Sequence, residues 1–322
     1  MVRIGYHASH EQFKPSDLLR WVTFAEQAGF TAAMCSDHFH PWSERQGQSG
    51  FAWSWLGAAL QATDLPFGVV CAPGQRYNPA IIAQSTATLA EMFPGRFSVA
   101  LGSGQALNEH ITGTGWIPKA DRNARLKEAV DVIRALWAGE TVTHRGWFTV
   151  EEAKLYTRPE EPPLLVGAAI TAETAEWVGG WADAIITVYK PVKEQKKFIE
   201  SFRRGGGEGK PMFLQAQTSY APTDKQARQG AYDQWRTNIF KSAVLSDIRM
   251  PAQFDALAEV VKPDDLNDHI RISSDIAQHI AWLEEDTKLG FDRILIHNVN
   301  REQERFIETF GERVLPALTA HS

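Results

Sequence analysis

The segment Val2-Arg3-Ile4-Gly5-Tyr6-His7-Ala8-Ser9-His10 decides the fold. Val2 to Tyr6 reads as a first strand. An open dinucleotide-binding sheet would follow it with a glycine-rich turn. Here the turn is Tyr6-His7-Ala8-Ser9-His10, which has no glycine. The segment also lacks the basic start, apolar core and small-residue cleavage site of a signal peptide.

Working outward, short β-branched or apolar runs alternate with helical ones. Strands are expected at Ala32 to Cys35, Phe67 to Cys71, Phe97 to Leu101, Leu164 to Ala168, Ala184 to Val188, Met212 to Gln217 and Arg293 to His297. Helices are expected at Leu18 to Ala28, Ser54 to Thr63, Ile81 to Met92, Arg122 to Ala138, Ala172 to Val178, Glu194 to Arg203, Asp224 to Ile239, Asp275 to Leu289 and Gln303 to Leu315. Gly29 and Gly139 supply helix stops, and Leu126, Ala129, Val130, Ile133, Leu136 and Trp137 form one apolar stripe. Eight strands, each followed by a helix, give an α/β fold of the (β/α)8 TIM-barrel class. Thr141 to Leu155 reads as a β-hairpin excursion turned at Arg145-Gly146, and Lys241 to Ile270 as a helical insertion before the last strand. Gly205 to Lys210 reads as a flexible turn, so residues 1–322 are expected to form one domain.

Composition limits the partners. Lys and Arg total 33 against 39 Asp and Glu, a net charge of −6, which argues against a nucleic-acid surface. No apolar run approaches the ~18 residues of a membrane span. Cys35 and Cys71, the two cysteines, lie in apolar runs and read as reduced core thiols of a cytoplasmic protein. A small molecule is the expected partner. Of the 11 tryptophans, Trp137, Trp177 and Trp282 lie on helical stripes, while Trp42, Trp53, Trp55 and Trp116 fall in or beside loops at the barrel mouth.

Barrel active sites lie at the C-terminal strand ends. That rule selects His7 and His10, then Ser36-Asp37-His38-Phe39-His40-Pro41-Trp42, then Ala72-Pro73-Gly74. Gly102-Ser103-Gly104-Gln105-Ala106-Leu107-Asn108-Glu109, Ala169-Ile170-Thr171, Tyr189-Lys190, Thr218-Ser219-Tyr220 and His297-Asn298 complete the set. His38 and His40 form a His-x-His pair of the kind that holds a metal in barrel hydrolases. His297 and His7 are the candidate additional ligands, and the fourth and fifth strand ends offer none, so no metal is expected. Gly102-Ser103-Gly104 does not have the spacing of a nucleophile elbow. It suits a different task, close backbone approach to a flat ring. Gln105 and Asn108 would add amides for the ring's polar edge, and Thr171 would cap a helix whose first N–H groups can hold a phosphate.

The stretches Ser36 to Trp42, Arg76-Tyr77-Asn78-Pro79-Ala80, Ile82-Ala83-Gln84 and Gly102 to Glu109 resemble the bacterial luciferase-like superfamily. The similarity runs from Ile4-Gly5-Tyr6 to Arg305-Phe306 and is densest before Gly113. It is nearest to the deazaflavin-dependent sugar-phosphate dehydrogenases that use coenzyme F420, and to a subgroup of flavin oxidoreductases that do not. The resemblance implies an oxidoreductase that exchanges a hydride between FMN or coenzyme F420 and a small organic substrate. A reduced-FMN monooxygenase that uses oxygen and a non-catalytic flavin-binding barrel are the alternatives. It implies a homodimer by analogy.

The resemblance also implies roles. Asp37 would contact the cofactor, His38 would be the catalytic acid or base, and Trp42 would wall the substrate pocket. Val69-Val70 falls where the family has a non-proline cis peptide beneath the ring. Ala72, Ser103, Gly104, Gln105 and Asn108, with Ala168, Ala169, Ile170 and Thr171, fall at cofactor positions. His10, Thr187, Lys190 and His297 would face the substrate, with Thr187 and Lys190 as phosphate ligands. The departures are specific. The family's glutamate after its Gly-Thr-Gly turn is Gln105 here, and an amide cannot act as an acid. The paired glycines of the phosphate loop are Ala169-Ile170-Thr171, and a basic residue before the last helix is His269 or Arg271. These changes argue against glucose 6-phosphate as the substrate.

Overall fold

The structure, a computed structural model, describes residues 2–320. Its framework is a closed parallel barrel of β1 (Arg3–Ala8), β2 (Ala32–Ser36), β3 (Phe67–Cys71), β4 (Phe97–Leu101), β7 (Leu164–Ala168), β8 (Ala184–Val188), β9 (Met212–Ser219) and β11 (Arg293–Asn298). β9 pairs with both β8 and β11, which closes the ring. The register runs through Gly5 beside Ala32, Cys35 beside Val69, Val99 beside Leu165 and Ile4 beside Ile294. Four expected strands, β3, β4, β7 and β8, have the expected ends; β1, β2, β9 and β11 run one or two residues further.

The helices cover the barrel. They are α1 (Pro15–Gln27), α2 (Ala52–Ala62), α3 (Pro79–Met92), the short α4 (Ala106–Glu109), α5 (Lys119–Ala138), α6 (Ala172–Gly179), α7 (Val192–Phe202) and α8 (Asp224–Trp235). The series ends with α9 (Ser242–Asp247), α10 (Pro251–Leu257), α11 (Ile276–Lys288), α12 (Gln303–Thr309) and α13 (Leu315–Ala320). Helix α8 stops at Trp235, short of the expected Ile239. A wide π turn over Phe310–Val314 separates α12 from α13, where one helix was expected. Arg203–Gly207 is a similar wide turn that takes in the start of the expected glycine turn, with Gly206 at a left-handed φ of 104°. The hairpin excursion is β5 (Val142–Arg145) with β6 (Thr149–Ala153). The insertion holds α9 and α10 and is followed by the unexpected two-residue strand β10 (Arg271–Ile272) beside β9.

Strand alternation divides the core in two. Phe67, Val69, Val99, Leu101, Ile185 and Leu214 point outward into the layer beneath the helices. Ala32, Met34, Ala100, Val166, Ala184, Ile186, Phe213 and Leu295 fill the barrel interior. Most strands are therefore apolar on both faces, as parallel sheets require, whereas β1, β9 and β11 turn His7, Gln215 and His297 inward.

One expectation is corrected here. All described peptide bonds are trans, including Val69–Val70. Val69 and Val70 pair evenly with Cys35 and Ser36 on one side and Val99 and Ala100 on the other, which a regular trans backbone satisfies. Thr187 is out of phase with Ala184 and Ile186, so it faces the helix layer rather than the bore. Lys190 follows it there: its Nζ donates to Thr187 Oγ1 at 2.6 Å and lies 4.8 Å from the Phe198 ring of α7. Burial lowers the Lys190 amine to about 7.

Candidate active site

The loop after β2 carries Asp37 and His38. Asp37 is buried, and its two oxygens accept from Arg76 Nη2 and Tyr77 Oη, both at 3.0 Å. Burial raises the Asp37 carboxyl, and Arg76 opposes that rise. Arg76 also ties this loop to the next. Its backbone N–H donates to Glu109 Oε2 at 2.7 Å, and its Nε lies 3.5 Å from Glu109 Oε1. One guanidinium thus joins two buried carboxylates from separate strand ends.

His38 Nδ1 lies 3.4 Å from Glu11 Oε1 and 3.3 Å from the carbonyl oxygen of His40. Both neighbours are acceptors when Glu11 is ionised, so Nδ1 carries the hydrogen of the neutral ring. That leaves the Nε2 lone pair as the basic site. Glu11 is buried and accepts from Ser36 Oγ at 2.5 Å and Ser9 Oγ at 3.0 Å. Burial alone would push its carboxyl up, but His38 and the Ser36 hydroxyl outweigh it and the net direction is down. Trp42 stands beside this pair, 5.1 Å from the His38 ring, and rests edge-on against Phe254 at 5.3 Å.

The glycine turn follows β4. Gly104 has φ +82°, and a Cβ there would sit 3.1 Å from Glu109 Cγ and 3.3 Å from Ala72 Cβ. A Cβ on Gly102 would sit 3.6 Å from Ala168 Cβ. The adjoining ends of β3, β4 and β7 therefore present a small-residue wall of Ala72, Gly102 and Ala168, the shape a flat ring needs. Ser103 Oγ accepts from Lys119 Nζ at 2.6 Å. Gln105 precedes α4, and Asn108 Oδ1 accepts from the N–H groups of Phe39 at 2.9 Å and His40 at 3.4 Å. Asn108 thus fastens the turn to the His38 loop. Thr171 caps α6, its Oγ1 accepting from Thr174 N at 3.2 Å, with Ile170 exposed beside it and Ala169 packed outward.

Three further histidines, His7, His10 and His297, lie buried at the ends of β1 and β11. His7 and His297 rings lie 4.4 Å apart, joined through Gln215 Nε2, and His297 Nε2 meets Gln12 Oε1 at 2.8 Å. Burial lowers His297 to about 3 and drives His7 well down. His10 is fully buried 5.0 Å from Trp55, and burial lowers it to about 4. His40 turns away from His38: its Nδ1 meets the Leu107 carbonyl at 2.9 Å and its ring stacks on His110. The His-x-His pair does not converge, and no three His, Cys, Asp or Glu among the described residues gather as a metal site. Trp116 borders Gly104 and donates to Asp247, whereas Trp55 is core and Trp53 packs against it.

Sequence reasoning had found Asp37, His38, Trp42 and the glycine turn, and the structure brings them together. It had missed Glu11 and the bridging role of Arg76. The signal for Glu11 was its place just beyond the first strand end, beside His10.

A family model described as luciferase-like monooxygenase matches residues 1–293. The chain is 32% identical over 333 residues to the F420-dependent glucose-6-phosphate dehydrogenase of Beutenbergia cavernae, covering 99% of this chain and 98% of that one. It is 33% identical over 329 residues to the protein of the same name from Microbacterium testaceum, covering 98% and 97%. A solved F420-dependent secondary alcohol dehydrogenase, in complex with an F420-acetone adduct, superposes with a TM-score of 0.91 at 32% identity, covering 98% and 99%. The F420-dependent tetrahydromethanopterin reductase of Methanopyrus kandleri shares the fold, with a TM-score of 0.78 at 18% identity, covering 98% and 99%. No described helix is long and apolar enough to cross a membrane. With these relatives matched along nearly its whole length, the chain belongs to the luciferase-like family and is an oxidoreductase enzyme of that family.

Proposed function

We propose that this enzyme uses coenzyme F420 to interconvert a small alcohol and its carbonyl compound, with His38 as the proton acceptor or donor. The observation that carries this reading is the pairing of His38 with the buried Glu11 at the same barrel end as the small residues Ala72, Gly102 and Ala168. Relatives at or above 30% identity that are named for F420 support the deazaflavin over FMN.

The wall and turn fit a flat tricyclic ring: Ala72, Gly102 and Ala168 carry nothing beyond a Cβ, and Gly104 holds the tight left-handed turn beside them. Ser103, Gln105 and Asn108 would hold its polar edge, and Thr171 with the first turn of α6 would receive a phosphate of its tail. When bound, such a ring accepts or donates a hydride. His38 Nε2 takes the hydroxyl proton of the substrate in oxidation and returns it in reduction. Glu11 holds the His38 ring by Nδ1 and offsets the positive charge that the ring gains. Trp42 walls the site and excludes water. Asp37, fixed by Arg76 and Tyr77, orients the loop that presents His38.

The substrate is proposed to be uncharged. Lys190 and Thr187, the expected phosphate ligands, are turned into the helix layer. We further propose a homodimer of the cytoplasm. The two free, buried thiols suit a reducing compartment, and Phe51 and Ile81 are exposed apolar side chains at the starts of α2 and α3.

Anaerobic titration tests the reading. Saturable binding of coenzyme F420, and its reduction by secondary alcohols without oxygen consumption, is the expected result. Preferential FMN binding with oxygen uptake would replace it by a monooxygenase. Tight cofactor binding with no turnover of any alcohol or carbonyl compound would leave a binding barrel.

A further inference from the structure

At the end of the barrel away from His38, a cavity of about 640 Å³ opens beneath the starts of β4 and β7. Its volume is that of a pocket for a small organic molecule. Barrel strands begin at this face, and side chains there ordinarily serve stability. This cavity is built differently.

Its apolar wall is Phe97, Trp137 and the Pro162-Pro163 corner. Its polar wall is cationic, with guanidinium groups from Arg96, Arg134 and Arg293. Two of the three are engaged within the fold. Arg96 donates to the carbonyl oxygens of Leu60, Thr63 and Leu65 and so closes the end of α2. Arg134 Nη2 donates to Asp183 Oδ1 at 2.7 Å and to the Trp181 carbonyl.

Arg293 is different. It points from β11 into the barrel floor, where its guanidinium lies 4.7 Å from the Phe213 ring. It lines both this cavity and the small void above it inside the barrel. Among the described residues it makes no ion pair and no side-chain hydrogen bond. A guanidinium presents five N–H donors and stays charged, so desolvation without an anion is unfavourable. Burial, with the neighbouring Arg3 cation, lowers its pKa to about 10, and Asp292 only partly offsets them. The carboxylates on the lining do not compensate it. Asp183 is held by Arg134 and by the Leu165 N–H, and Glu161 is exposed.

We propose that this cavity is a second ligand site, separate from the catalytic mouth, which takes an organic carboxylate with an apolar body. The carboxylate would pair bidentately with Arg293, the geometry that a planar guanidinium favours. The apolar body would lie against Phe97, Trp137 and the two prolines. Arg134 on the rim would add a second positive charge through the N–H groups that Asp183 does not use.

Isothermal titration of the full-length protein with benzoate tests this, with benzyl alcohol and inorganic phosphate as parallel probes. Expected are saturable benzoate binding at one site per chain and at least tenfold weaker binding of both other probes. R293Q is expected to weaken benzoate at least tenfold, while H38A leaves it unchanged. No saturable benzoate binding, or undiminished binding in R293Q, overturns the proposal. Loss of binding in H38A overturns it too, because benzoate would then occupy the mouth. Phosphate binding as tight as benzoate removes the apolar body from the assignment and overturns the ligand class. If R293Q does not fold, R134Q decides: a threefold or greater loss supports the site, and unchanged affinity sinks it.

Discussion

His38 Nδ1 stands 3.4 Å from Glu11 Oε1 at the barrel mouth, with Glu11 buried and His38 partly exposed. The pairing fixes which imidazole nitrogen is free to exchange a proton. It also supplies the negative charge that stabilises the protonated ring. Glu11→Gln keeps the shape and removes the charge. Turnover is expected to fall at least about tenfold with KM nearly unchanged, within the ~10²–10⁴-fold range of general acid–base catalysis. A variant with wild-type turnover would make Glu11 a packing residue only.

Arg76 carries a different load. It bonds Asp37 Oδ2 through Nη2 at 3.0 Å, and its backbone N–H reaches Glu109 Oε2 at 2.7 Å. Arg76→Met leaves two buried carboxylates without their cation. Breaking a buried pair from one side costs about 3–5 kcal/mol. Urea denaturation should show a loss of that size, and cofactor affinity should fall with it because Glu109 backs the Gly104 turn. Arg76→Lys restores charge without the fork and should recover only part of both. A stability change below about 1 kcal/mol in Arg76→Met would count against this bridging role.

Much of this site was legible because strand ends are legible. The runs Phe67–Cys71, Phe97–Leu101, Leu164–Ala168 and Ala184–Val188 are apolar and bounded by turn residues or charge, so their C-terminal neighbours could be assigned to the mouth. The same burial hid the facing of side chains. In Ala184–Val188 both faces are apolar, so nothing in the pattern said that Thr187 points outward. Glu11 was hidden for another reason. It reaches Ser36 and His38 across the β1–β2 junction, a tertiary contact that local spacing does not encode. Arg76 sat in a motif that was read for resemblance, and its two carboxylate partners lie on loops that only the closed barrel brings together.

The Gly104 turn makes a steric prediction. At φ +82°, any L side chain is strained, and a Cβ would crowd Glu109 Cγ and Ala72 Cβ. Gly104→Ala should cost about 1–2 kcal/mol of stability. If the turn also lies against the cofactor ring, affinity for coenzyme F420 should fall at least about tenfold, or ~1.4 kcal/mol. Fluorescence titration of the deazaflavin reads the second effect and thermal unfolding the first. Unchanged affinity in a folded Gly104→Ala protein would move the ring away from this turn.

Acid should unfold the protein through its histidines. Burial lowers His297 to about 3 and His10 and His279 to about 4, and drives His7 well below its ordinary 6.5. For these groups the unfolded chain binds protons that the folded chain refuses. Their contribution is fully present above about pH 6.5 and is lost as pH falls from there toward 4. Each imidazole can remove up to about 3 kcal/mol by the bottom of that window. The lowered Glu11 carboxyl adds to the loss at still lower pH, while the raised Asp37 and Glu109 work against it. His279 is the group to test, because it lies away from the mouth, bonded to Thr218 Oγ1 at 3.2 Å and the Ser273 carbonyl at 2.9 Å. Urea midpoints measured from pH 7.5 to 4.5 should fall steeply below pH 6.5 in the wild type. His279→Gln, which cannot take up a proton when unfolded, should show a shallower fall even though its stability at pH 7.5 is lower. A flat wild-type profile between pH 7 and 5 would mean that these rings are protonated in the folded protein despite their burial.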